Sequence, residues 1–151
     1  MTEFLVIGIG SDLRGDDGVG LVVARQLQDQ VPPGARVIEH YGDGTSLISA
    51  WEGVDHVILV DAVSSGAEPG TIYRFDAHSA PLPARISASS THAFGLEEAM
   101  ELARQLDQLP KSLVVYGIEG KSFSNGTVLS MEVDLAVEVV VEQILQEISN
   151  L

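Results

Sequence analysis

Phe4-Leu5-Val6-Ile7-Gly8-Ile9-Gly10 is an unbroken apolar run closing in glycines, the pattern of a strand buried on both faces of a parallel sheet. From Gly18 the pattern changes period. Val19, Val22, Val23 and Leu27 recur at helical spacing with Arg25, Gln28 and Asp29 on the outer side, until Pro32-Pro33-Gly34 stops the element. Strand and helix then keep alternating. Arg36-Val37-Ile38-Glu39 reads as a second strand and His56-Val57-Ile58-Leu59-Val60 as another buried one, closed by Asp61. After the turn-rich Ser64-Ser65-Gly66-Ala67-Glu68-Pro69-Gly70, the stretch Thr71-Ile72-Tyr73-Arg74-Phe75 alternates like an edge or hairpin strand. Leu96, Ala99, Met100 and Ala103 form the inner stripe of a helix starting near His92, and Pro110 separates it from the strand Leu113-Val114-Val115-Tyr116, ending at Gly117. A last helix puts Val133, Val137, Val140, Val141, Ile144 and Ile148 inside and Asp134, Glu138 and Glu142 outside. The expectation is an α/β three-layer sandwich, a twisted and mostly parallel sheet between helices.

A chain of 151 residues fits one domain, 1–151, and buries about two thirds of the surface its unfolded form exposes. Eight basic against 22 acidic residues give a net charge of -14, which repels nucleic-acid phosphates and anionic membranes, so neither is an expected partner. The absence of cysteine excludes disulfides, thiolate metal sites and cysteine nucleophiles. With no basic segment before the first apolar run, a cytoplasmic location is expected.

The loop Ser11-Asp12-Leu13-Arg14-Gly15-Asp16-Asp17-Gly18 decides the chemistry by exclusion. A dinucleotide fingerprint needs a third glycine where Leu13 stands. A phosphate loop needs Gly-Lys-Ser/Thr where Gly15 is followed by two acids, whose charge favours cations over a triphosphate. An EF-hand fails because Leu13 and Arg14 break the run of oxygen ligands. There is no HExxH pair, no GxSxG elbow, and no SxxK partner for the two lysines, Lys111 and Lys121. A hydrolase built on this chain would depend on a metal and water.

Three side chains qualify for that chemistry, each against a plainer alternative. Asp17 precedes a helix, where a carboxylate also complements the positive terminus; for its neighbour Asp16 that capping role is preferred. Asp61 closes a buried strand at the carboxyl edge of the sheet, where open α/β folds place ligands, though a loop cap would look the same. His92 stands at an apparent helix start that disfavours imidazolium and leaves a nitrogen free as a ligand, yet a lone histidine is more often structural. His40 is assigned a structural or supporting role, and His56 and His78 are expected to be solvated.

Four ordered blocks span nearly the whole chain: Gly8-Ile9-Gly10 through Leu13 to Gly15-Asp16-Asp17-Gly18-Val19-Gly20; Asp61-Ala62 to Pro69-Gly70-Thr71-Ile72; Ser90-Thr91-His92 to Gly95-Leu96; and Gly117-Ile118-Glu119 to Gly126 and Leu129-Ser130. In these blocks the chain resembles the nickel-iron hydrogenase maturation endopeptidases. The resemblance implies that Asp17, Asp61 and His92 are the catalytic and metal-contacting positions. It also implies that the substrate is a hydrogenase large-subunit precursor, already loaded with nickel, from which a short C-terminal extension is cut. No permanently bound cofactor is then expected, the nickel being carried by the precursor, and a monomer is expected. Three positions depart from the family pattern: Ser11 replaces a common asparagine, Gly120 a common proline, and Asp17 the glutamate of some members. Asp16 would support the loop, and the stretch from Tyr41 to Ser46 would help form a groove for the extended tail. Two rival readings are a non-catalytic nickel-binding maturation chaperone and a small-molecule hydrolase or nucleotide-binding α/β protein.

Overall fold

The computed structural model describes residues 3–41, 44–78 and 96–150. Five strands, β1 (Phe4–Ile9), β2 (Ala35–His40), β3 (His56–Val63), β4 (Ile72–Asp76) and β5 (Ser112–Glu119), form one sheet in the order β2-β1-β3-β5-β4. The first four in that order are parallel, and β4 runs antiparallel along β5 as the edge the alternating Ile72-Tyr73-Arg74-Phe75 suggests. The helices are α1 (Val19–Leu27), α2 (Gly44–Ala50), α3 (Leu96–Gln105) and α4 (Met131–Ser149).

Alternation along the strands sends successive side chains to opposite faces and builds two cores. Phe4, Val6, Ile58, Val60, Val114 and Tyr116 meet α1 and α4 on one face. Leu5, Ile7, Ile9, Leu59, Leu113 and Val115 meet α2 and α3 on the other. The α4 stripe is the one its periodicity indicates, with Val133, Val137, Val140, Val141, Ile144 and Ile148 all buried, each worth about 2 kcal/mol in burial. The expected three-layer sandwich is therefore the observed fold.

Three boundaries differ from the sequence expectation. β3 does not end at Asp61 but continues through Ala62 to Val63, and β5 runs past Gly117 to Glu119. Both extensions arise because the two strands stay paired, Asp61 with Gly117 and Val63 with Glu119. A side chain at Gly117 would meet a Val63 methyl at 2.7 Å, so the glycine is a packing requirement within the strand and not its end. The third difference is α2, which occupies the stretch from Gly44 that reads as loop. The expected start of α3 near His92 lies outside the described residues.

From β1 the chain passes through α1 to β2 on one side, and from β3 it goes on to β4 and β5 on the other, so the strand order reverses between these two central strands; it is beside the carboxyl ends at such a reversal that open α/β sheets form a crevice. Glycines let α1 approach that crevice closely. A Cβ on Gly20 would lie 2.3 Å from the Ile9 carbonyl oxygen and 2.5 Å from that of Val60, and one on Gly8 only 2.1 Å from the Gly20 oxygen. Close helix–strand packing is thus supplied by Gly8 and Gly20, without a glycine at position 13. Gly20→Ala should force α1 off the sheet and destabilise the protein by about 3 kcal/mol or more, measurable as a fall in denaturation midpoint.

Candidate functional site

Among the described residues the buried charged side chains are Asp16, Asp17, Asp61 and Glu119, at 0%, 2%, 3% and 2% exposure. Buried carboxylates are rare because each gives up hydration. All four lie at the carboxyl edge of the sheet. Asp16 and Asp17 occupy a 3-10 turn, Gly15–Gly18, that follows β1 and packs against β3. The turn folds back over the end of β1: Ser11 donates its amide to the Asp17 carbonyl at 3.3 Å, and a Cβ on Gly10 would lie 2.2 Å from that same oxygen. β3 pairs with β1 through Gly8 and Val60, so Asp61 follows at the next step of the neighbouring strand. One Asp61 oxygen accepts the Ala62 amide at 2.8 Å. The fold therefore places Asp17, in the turn after β1, and Asp61, near the end of the adjacent β3, at the same carboxyl edge of the sheet. His92 lies outside the described residues, and among the described residues no group of three acidic, histidine or cysteine side chains forms a metal cluster.

Asp16 does not cap α1, and no side-chain capping bond forms at the start of either the turn or that helix. Its carboxylate instead reaches more than a hundred positions along the chain, accepting the amides of Lys121 at 2.7 Å, Ser122 at 2.9 Å and Ser130 at 2.7 Å, and the Ser130 hydroxyl at 2.9 Å. Main-chain bonds reinforce this tie, from Asp16 to the Ser122 carbonyl, from Gly15 to that of Gly126, and from Gly126 to that of Leu13. Burial opposes ionisation of Asp16, but the donors from Ser130, Ser122 and Lys121 outweigh it and hold the carboxyl below its ordinary range. Asp16 is thus committed to the 121–130 segment, and it seats the turn in which Asp17 is the neighbouring residue.

Glu119 carries no role in the sequence reading, although it closes the buried apolar strand β5. Its carboxylate accepts the Ser65 amide at 2.8 Å, the Ser65 hydroxyl at 2.5 Å and the Tyr73 hydroxyl at 3.1 Å. Next to it, Gly120 donates its amide to the Val63 carbonyl at 2.9 Å, a bond that the proline common at this position could not make.

The remaining histidines make contacts within the fold. His40 Nε2 lies 3.0 Å from the Ser46 hydroxyl, joining β2 to α2, and its carbonyl accepts the Gly10 amide at 3.0 Å. His56 is not solvated as expected: it is half-buried and stacks on Phe4 with ring centroids 5.0 Å apart. His78 is exposed, with Nδ1 2.8 Å from the Pro110 carbonyl. Arg25, though exposed, bridges Asp12 and Glu39 at 2.9 and 2.8 Å and so ties the loop after β1 to the end of β2. Of the stretch proposed as a tail groove, Tyr41 and Ser46 are exposed at the same edge, whereas positions 42 and 43 lie outside the described residues.

A family model described as hydrogenase maturation protease matches residues 21–147. The chain belongs to that family. A putative hydrogenase maturation protease of Methanocaldococcus jannaschii is 32% identical over 98% of this chain and 97% of its own length. The NiFe hydrogenase maturation protease HybD of Thermococcus kodakarensis superposes with a TM-score of 0.78 at 28% identity, covering 95% of this chain and 97% of that one. The hydrogenase maturating endopeptidase HybD of Escherichia coli reaches a TM-score of 0.86 over 99% of this chain and 93% of that one; at 23% identity it speaks for the fold alone. Family membership sets the reaction class as peptide-bond hydrolysis in hydrogenase maturation. No helix among the described residues is long and apolar enough to cross a membrane.

The Asp16 tie has a pH signature. A carboxyl held low in the folded state contributes stability that is intact above its unfolded value of about 3.9 and is lost as pH falls through the folded value. Asp16→Ala leaves the part-buried amides of Lys121, Ser122 and Ser130 without this acceptor, so it should cost about 3 kcal/mol at neutral pH and flatten the loss of stability below about pH 4, as read by urea unfolding across pH.

Proposed function

We propose that this protein cuts a short C-terminal extension from a nickel-loaded hydrogenase large-subunit precursor, and that Asp17, Asp61 and His92 contact the nickel the precursor already holds. The observation that carries this reading is the burial of Asp17 and Asp61 at the same carboxyl edge of the sheet, in a chain of the hydrogenase maturation protease family. Two carboxylates and an imidazole suit a borderline divalent ion such as nickel. Because the ion arrives with the substrate, it acts as a recognition element: a precursor without nickel offers these ligands nothing to bind and is not oriented for cleavage. Orientation of this kind is worth orders of magnitude in rate, and a displacement of about 1 Å can cost about a hundredfold.

Asp17 and Asp61 come from different strand ends, so their spacing depends on the sheet and on the tie made by Asp16. The acidic character of the whole chain, with its net charge of -14, favours approach of the cationic cargo over that of anions. Tyr41, exposed at the same edge, is placed to line the path of the extended tail.

Incubation of the purified protein with nickel-loaded and nickel-free precursor, followed by mass spectrometry, tests the reading. The expected result is loss of a C-terminal peptide from the loaded form only. Asp61→Ala and His92→Ala should remain folded by circular dichroism and lower turnover by about a hundredfold or more. Binding of loaded precursor without mass loss would identify a chaperone, and full cleavage by both variants would remove these residues from the mechanism.

A further inference from the structure

The buried carboxylate that this mechanism leaves without a task is Glu119, the last residue of β5. Both its side chain and its main chain grip the segment that leaves β3. One carboxylate oxygen accepts the Ser65 amide at 2.8 Å, and the other accepts the hydroxyls of Ser65 at 2.5 Å and Tyr73 at 3.1 Å. The Glu119 carbonyl accepts the Gly70 amide at 2.8 Å, and its amide donates to the Thr71 carbonyl at 2.8 Å. Residues 65 to 71 are thus held near both ends by one residue of the neighbouring strand. That segment starts shortly after Asp61, and it turns on two glycines with positive φ, Gly66 at 86° and Gly70 at 87°. Such a turn has little stiffness of its own.

We propose that Glu119 is a positioning residue for the cleavage reaction: by fastening the segment after β3 to the exit of β5, it keeps the last pairs of these strands, Asp61 with Gly117 through Val63 with Glu119, from fraying and so holds Asp61 at the crevice. This rests on the function proposed above. The exit of β5 would then serve both acids, since Lys121 and Ser122, two and three positions on, supply amides to Asp16 beneath Asp17. The separation of Asp17 and Asp61 is set from one short stretch, 119–122. Glu119 acts by accepting and sharing hydrogen bonds, and its partners allow an amide to replace it: a glutamine oxygen can accept the Ser65 amide while its NH2 donates to the hydroxyl oxygens of Ser65 and Tyr73.

The test compares Glu119→Gln with Glu119→Ala on nickel-loaded precursor, with rates expressed per folded molecule. Glu119→Gln should keep kcat within about threefold of the parent, whereas Glu119→Ala should lower kcat by about 10- to 100-fold with a much smaller change in KM. Exchange of the Ser65 amide proton should quicken in the alanine variant and stay slow in the glutamine one. If Glu119→Ala does not fold, the double variant Ser65→Ala with Tyr73→Phe removes both hydroxyl donors and should lower kcat to an intermediate value. Unchanged kcat in Glu119→Ala, or in the double variant, overturns the proposal. So does loss of activity in Glu119→Gln as severe as in Glu119→Ala, which would instead require the negative charge. Failure of the parent protein to cut loaded precursor would sink the proposed function, while Ser65 exchange would still decide whether Glu119 holds the segment.

Discussion

Everything at the crevice depends on main chain meeting main chain at Gly8, Gly10 and Gly20. With no Cβ at these positions, α1 settles against the ends of β1 and β3, and the turn carrying Asp16 and Asp17 folds directly over the end of β1. A larger residue at any of the three would have to displace a peptide group and not a flexible side chain, and interiors packed to crystal density absorb such displacements poorly. The glycine-rich opening is thus a structural requirement for bringing acids to strand ends, not a cradle for a phosphate.

Close packing alone would make those acids costly, because a buried carboxylate loses its hydration. Asp16 and Glu119 recover it from amide and hydroxyl donors, not from lysine or arginine. Backbone amides compensate a carboxylate without adding a full positive charge nearby. The edge therefore keeps its negative character, which suits the divalent ion of the proposed function. Where arginine is used, at Arg25 with Asp12 and Glu39, the pairs are exposed and join loops at the surface, where such contacts contribute little to stability.

The layered architecture was legible because its strands are nearly pure apolar runs and its helices have clear inner stripes. What escaped reading depended on contacts between distant segments. Nothing local distinguishes an Asp16 that caps its own helix from one that binds amides at 121, 122 and 130. Gly117 reads as a strand end by its type, but its role is to make room for Val63 on the next strand. The short α2 begins in Gly44-Thr45-Ser46, residues typical of turns, and owes its helix to burial of Leu47 and Ile48. Asp61 and Glu119 share one signal, a carboxylate closing an apolar strand; only pairing and donors show that they occupy different environments.

The span of the Asp16 contacts also bears on how the protein is made. Asp16 emerges in synthesis more than a hundred residues before its partners at Lys121, Ser122 and Ser130, so the turn bearing Asp17 cannot take its final form until they follow. Contacts this far apart in sequence close late, after the intervening chain has been ordered. A copy cut short before Lys121 would keep the Gly15-Asp16-Asp17-Gly18 motif yet lack the amides that seat Asp16.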